Sequence, residues 1–217
     1  MSDGSSSKDL TKDLIEVAVF PLTRVTLFPQ TTKPLNIFEP RYIKMVEDAL
    51  KTDTLVALAY SEPSSQKVQA IGVQGRLRSV AGVGKVVVLE RRPDKTMLIL
   101  LEAVGKVRLE NVIEGEEPYL KAKARWIREA TTLSNENIFI LHRLMKDLGR
   151  WMSLHVHDEV AREQFMAKLA TAEQRINAIC SLMVLDSDLQ QTLLEADSVD
   201  ERCAQLAMAV ESEGPSQ

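Results

Sequence analysis

Cysteine is scarce in this sequence, long apolar runs are missing, and the chain opens without a secretory type of leader. Two cysteines, Cys180 and Cys203, occur in 217 residues. Both stand among apolar residues at helical spacing, which reads as buried free thiols and argues against a disulfide framework or a cysteine metal site. No apolar stretch approaches the roughly 20 residues that a membrane helix needs. The opening "MSDGSSSKDLTKD" has no apolar h-region, and its Ser, Gly and charge content reads as a disordered leader over residues 1–15. The expectation is a cytoplasmic protein with no membrane partner.

The patterns of common enzymes are missing as well. "AGVGKVVV" (81–88) offers a Gly-Lys pair, but Ser79 stands where a Walker loop needs glycine, and Val86 follows the lysine. An apolar strand also follows, where a phosphate-binding helix should begin. A turn is the plain reading. There is no Gly-x-Ser-x-Gly elbow and no paired cysteine motif. His155, His157 and Asp158 are too few and wrongly spaced on a helix for a metal site, so a helix-end or loop cluster is expected. The residues point to no catalytic group, cofactor or metal.

What is present divides in two. Residues 16–130 carry 18 basic and 14 acidic groups, and 131–217 carry 7 and 14. The front is mildly basic and the back acidic, a bias too weak to announce nucleic acid. The front reads as strands: "EVAVFPL", "TLVALAY", and a hairpin in "KVVVLERRPDKTMLILLEA" with Pro93 at the second position of its turn. After Gly105, "KVRLENV" reads as a further strand. "YLKAKARW" puts Leu120, Ala122, Ala124 and Trp126 on one face and Lys121, Lys123 and Arg125 on the other. That basic stripe reads as a solvated outer face, because its aromatic is not interleaved with the charges. Short strands punctuated by Gly and Pro predict a curled sheet or small barrel.

One helix interrupts the strands. Pro40 suits its first position, Glu39 its N-cap, and apolar Ile43, Val46, Ala49 and Leu50 recur at helical spacing. From about residue 133 the period is helical. Ile138, Leu141, Leu144, Met145, Leu148, Trp151 and Met152 form one stripe; Val160, Phe165 and Leu169 a second; Ile176, Ile179, Cys180 and Met183 a third. "SVDE" (198–201) is a capping box that opens a last helix. The fold class is α+β, a β-rich part over 16–130 followed by a helical bundle over 131–217, with a packed interface expected between them.

Pro21, Leu22, Leu27, Phe28 and Pro29, followed by "PLNIFEPRY" (34–42), resemble the opening of the Lon protease N-terminal, or substrate-binding, domain family. The resemblance continues through "GVQGRL" (72–77) and "MLILLEAVGKVRL" (97–109) into "LLEADSVDERCAQL" (193–206). It implies a PUA-like β subdomain, a helical second subdomain, and the capture of unfolded or partner protein without the ATPase and peptidase parts. The residues best placed for such contacts are Phe28, Phe38 and Tyr42, with Arg41 as an anchor for a carboxylate or carbonyl. Packing within the β-rich part is the plainer role for Phe28 and Phe38. Main-chain hydrogen bonds at an open sheet edge are expected to add affinity. The alternative is a small-molecule- or RNA-binding PUA-like module, since fold does not fix function.

Overall fold

The computed structural model describes residues 13–68 and 73–213. The chain divides into two compact units, Met1–Arg128 and Glu129–Gln217. The first contains β1 (Leu14–Leu22), β2 (Thr32–Ile37), α1 (Pro40–Thr52), β3 (Val56–Val68), β4 (Val73–Leu77), β5 (Val80–Arg91), β6 (Met97–Ile113) and β7 (Leu120–Ile127). The sheet runs β1-β7-β6-β5-β3-β4, and β1 also pairs with β3, so five strands nearly close into a ring. That last pairing is parallel; the other pairings are antiparallel.

All five ring strands contribute to one core cluster, which includes Val17, Ala57, Ala59, Ala81, Val107, Ala122 and Ala124. A ring this narrow has room for small side chains, which explains why alanine alternates along "LKAKARWI" and "VALAY". A second cluster lies under α1. There Tyr42, Met45, Val46 and Ala49 pack with Phe20, Ile37, Leu58, Ile99 and Leu101. The helix therefore buries a stripe one residue earlier than its sequence spacing suggests, and Leu50 is left exposed.

The hairpin turn is as the sequence reads it. The Lys95 amide donates to the Arg92 carbonyl at 3.0 Å, placing Pro93 second in the turn, and Lys95 takes a positive φ. Two other expectations fail for one physical reason. "GVGK" is no turn, and Gly105 ends no strand: β5 runs unbroken through Gly82 and Gly84, and β6 through Gly105. These glycines mark close approach. A Cβ on Gly82 would collide with the Leu27 carbonyl, one on Gly84 with the Glu102 carbonyl, and one on Gly105 would meet the Trp126 ring at 2.8 Å. The β5–β6 register shifts between Val83 and Gly84, so the ladder carries a bulge there.

The second unit holds α2 (Asn135–His155), α3 (Glu159–Lys168), α4 (Ala172–Met183), α5 (Ser187–Glu195) and α6 (Val199–Glu213). α2, α4 and α6 bury Leu141, Leu144, Leu148, Ile176, Ile179, Cys180, Cys203 and Leu206. The thiols of Cys180 and Cys203 are free, and burial pushes them up to about 12 and about 11. The second stripe of the sequence reading is not a buried one: α3 buries no residue and Val160 is exposed, as is Ile138 on α2. At 198–201 the Glu201 amide donates to Ser198 Oγ, while the Glu201 carboxylate accepts from Asp197 rather than from Ser198. Among the described residues, no helix is long and apolar enough to cross a membrane.

Arg202, which the sequence does not flag, is fully buried in this unit. It donates to the Leu193 carbonyl at 2.8 Å, to Asn177 Oδ1 at 2.9 Å and to the Glu129 carboxylate. Removing one partner of a buried pair strands the other in a low dielectric, at a cost of about 3–5 kcal/mol. Urea melts of Arg202→Met should show a loss of that size, and the double variant with Glu129→Leu should recover part of it. Glycine supplies a second comparison. Gly82→Ala should cost at least about 3 kcal/mol through its backbone collision. Gly149, inside α2 with open space where a Cβ would sit, should become more stable by about 0.5–1 kcal/mol as alanine.

Candidate functional site

The junction between β2 and α1 is set by alternation. Along 34–38 the burial runs exposed, intermediate, exposed, buried, exposed, so fixing Ile37 in the core turns Phe38 outward. Phe38 is 69% exposed. Pro40 then starts the helix at its first position, where its missing N–H costs nothing. Glu39 occupies the N-cap but its side chain makes no capping hydrogen bond. Its carboxylate goes to Arg41 instead, at 3.0 Å from Nε and 2.8 Å from Nη2.

Arg41 lies 4.5 Å above the Tyr42 ring, and that ring packs against Phe20 with 4.5 Å between centroids. Burial raises the Tyr42 phenol above its ordinary value; Arg41 pulls it down and Glu39 adds to the rise. Of the four residues singled out from the sequence, Phe38 and Arg41 reach the surface here. Tyr42 is buried beneath them. Phe28 is wholly buried in the same unit, where its carbonyl accepts from the Thr31 amide and hydroxyl. It serves packing and is inaccessible to a partner.

Next to the junction, β2, β6 and the far half of β5 form a three-stranded tongue. Met97, Ile99 and Leu101 point into the core under α1, so Leu98 and Leu100 point to the other face. Register places Pro34, Leu100 and Val87 in one row across the three strands. Leu98 and Leu89 lie alongside. Val87 is 38% and Leu89 54% exposed, and Leu98 and Leu100 are half-buried. Glu90 and Glu102, both exposed, flank this apolar face. Sequence reasoning identified the strands but not the face. In "KVVVLE" only alternate valines, Val86 and Val88, meet the core, and three valines in a row give no sign of that in the sequence.

A polar cleft of about 200 Å³ lies beside α1, lined by Asp48, Lys51, Thr52, Glu117, Tyr119 and Lys121 among others. Asp48 accepts from Lys44 at 2.6 Å and from the Tyr119 hydroxyl at 3.0 Å, and Lys44 also reaches Glu117 at 2.8 Å. The Lys44 bond, then that from Tyr119, holds the Asp48 carboxyl below its ordinary value. These contacts fasten the start of β7 to the helix.

Elsewhere the charged clusters have structural partners. Lys85 pairs with Asp53, Lys121 with Glu16 and Arg125 with Glu110. His155 ends α2 stacked on Trp151, and Asp158 caps α3. No group of three or more metal-ligating side chains occurs among the described residues.

Residues 16–211 match the family model of the ATP-dependent protease La (LON) substrate-binding domain. The chain is 23% identical over 201 residues to the Lon protease of Erwinia amylovora, covering 92% of this chain and 25% of that protein. It is 27% identical over 150 residues to the Lon protease of Dictyoglomus thermophilum, covering 66% and 18% respectively. The fold superposes on the N-terminal domain of the Mycobacterium avium complex Lon protease with a TM-score of 0.70 at 14% identity. That alignment covers 92% of this chain and 100% of the other. A Lon N-terminal domain protein from Xanthomonas campestris gives 0.65 at 17% identity, covering 89% and 98%. The chain thus spans about a quarter or less of the length of these Lon proteases, and it belongs to the Lon substrate-binding domain family.

The junction geometry makes a stability prediction. The Glu39–Arg41 pair is partly exposed, with side chains 42% and 29% accessible, and exposed pairs are worth about 0–1 kcal/mol. Arg41→Ala should therefore cost about 1 kcal/mol or less in a urea melt, and Glu39→Gln no more than that. A loss well above 2 kcal/mol would make Arg41 a brace of the fold rather than a surface group.

Proposed function

We propose that this chain is a protein-binding module that captures exposed apolar segments on the tongue and at the adjoining β2–α1 junction, with no catalytic step of its own. The observation that carries the reading is the apolar face of Val87, Leu89, Leu98 and Leu100 beside the exposed Phe38. Apolar surface left together and rimmed by charge marks an interaction site in a soluble protein. Membership of a family named for substrate binding supports the same reading. Phe38 acts as the projecting anchor. Arg41, held by Glu39 and Tyr42, offers its remaining N–H groups to a carbonyl or carboxylate at the rim. Tyr42 supports the site from within the core.

Anchors of this kind are each worth about 2 kcal/mol or more, roughly thirtyfold in affinity. Phe38→Asp combined with Leu89→Asp should weaken binding of a fluorescently labelled, permanently unfolded protein such as reduced carboxymethylated lactalbumin by at least that factor. Its melting curve should stay close to wild type, because both side chains are exposed. Unchanged binding with unchanged stability would place the contact surface elsewhere.

A further inference from the structure

We infer that the tongue grips its guest by side chains alone, so that it takes apolar segments whatever their backbone does, and does not add them as a strand. The inference rests on the proposed function and concerns the same face. It replaces the sequence-based expectation of main-chain hydrogen bonds at an open edge.

The tongue has two long edges, and neither is suited to strand addition. In an antiparallel ladder alternate residues turn both backbone groups toward the partner and the rest turn them away. The Ala103 amide donates to the Thr31 carbonyl at 2.9 Å, and the register continues from Thr32 opposite Glu102 to Ile37 opposite Met97. Lys33, Leu35 and Ile37 thus bond β6, and Thr32, Pro34 and Asn36 face outward. Proline has no N–H, so the outward row lacks its middle donor, a device that keeps sheet edges from pairing. The Asn36 side chain is also engaged, accepting from Arg92 at 3.3 Å.

The opposite edge belongs to β5 beyond Gly84, where its pairing with β3 ends. Val86 and Val88 pack into the cluster under α1. Lys85 bonds Asp53, the C-cap of the helix, at 2.9 Å, and Arg91 reaches Glu47 at 3.6 Å. Ion pairs near both ends of this stretch tie it to α1. Between the two edges lies the face of Val87, Leu89, Leu98 and Leu100, which presents side chains to a guest while the backbone groups lie in the plane of the sheet.

A peptide of alternating leucine and serine, labelled with fluorescein, tests this against two relatives N-methylated on alternate amides. One relative carries methyl groups on the odd residues and the other on the even. A guest added as a strand bonds its host through one row only, so one relative would lose binding by about tenfold or more and the other would keep it. Side-chain capture keeps both relatives within about threefold of the parent, and the Phe38→Asp, Leu89→Asp variant weakens all three alike. A tenfold split between the two relatives would overturn the inference and leave the proposed function standing. A parent peptide that fails to bind the wild-type chain would overturn both.

Discussion

At Gly82 the backbone of strand β5 lies so close to the Leu27 carbonyl that no side chain fits between them. The proposed contact surface depends on that approach in three steps. It seats the segment after β1 against the sheet, with Leu27 and Phe28 sealed in the interior. From there the chain enters β2 in a fixed register on β6, and the register decides which side chains of 32–38 face the core. A methyl group at Gly82 would push on backbone, which cannot swing aside as a side chain can. The constraint is steric and local, yet its consequences run through β2 to the start of α1.

Legibility in the sequence followed from how local each determinant is. Pro93 in its turn, Pro40 at the first position of α1 and the alternation of "YLKAKARW" depend on neighbours in the chain, and each was readable. The same is true of the α+β order, which needs only the change of period from strand to helix. The glycines of β5 and β6 were misread because their reason lies across the sheet, in Leu27, Glu102 and Trp126. Arg202 could not be found for the same reason. Its partners stand 9, 25 and 73 positions away in the chain, and a lone arginine in a helical segment looks like solvated surface.

The candidate site was half legible. "FEPRY" drew attention through residue type, and the structure separates its members by burial rather than by chemistry. The tongue face went unseen because an apolar strand reads alike whether one face is covered or two. Here α1 covers one face only, a fact set by where a 13-residue helix lies on the sheet. The helical unit shows the converse error. Apolar spacing on α3 suggested burial, but no residue of that helix is buried.

Stability and display are interleaved in residues 34–42, and one alternation accounts for both. Ile37 and Tyr42 sit in the core, and Phe38 lies between them with most of its surface in water. A large aromatic held outward cannot be stabilised by its own exposure, so its position must be imposed by its neighbours. Ile37 fixes the phase of β2 before it, and Pro40 fixes the start of the helix after it. Glu39 is then free of the capping role its position allows, and its carboxylate steadies Arg41 above the Tyr42 ring. The core therefore fixes the placement of the exposed side chains. In the proposed contact, Phe38 and Arg41 start from a backbone already fixed by the core, so less ordering remains to be done on binding.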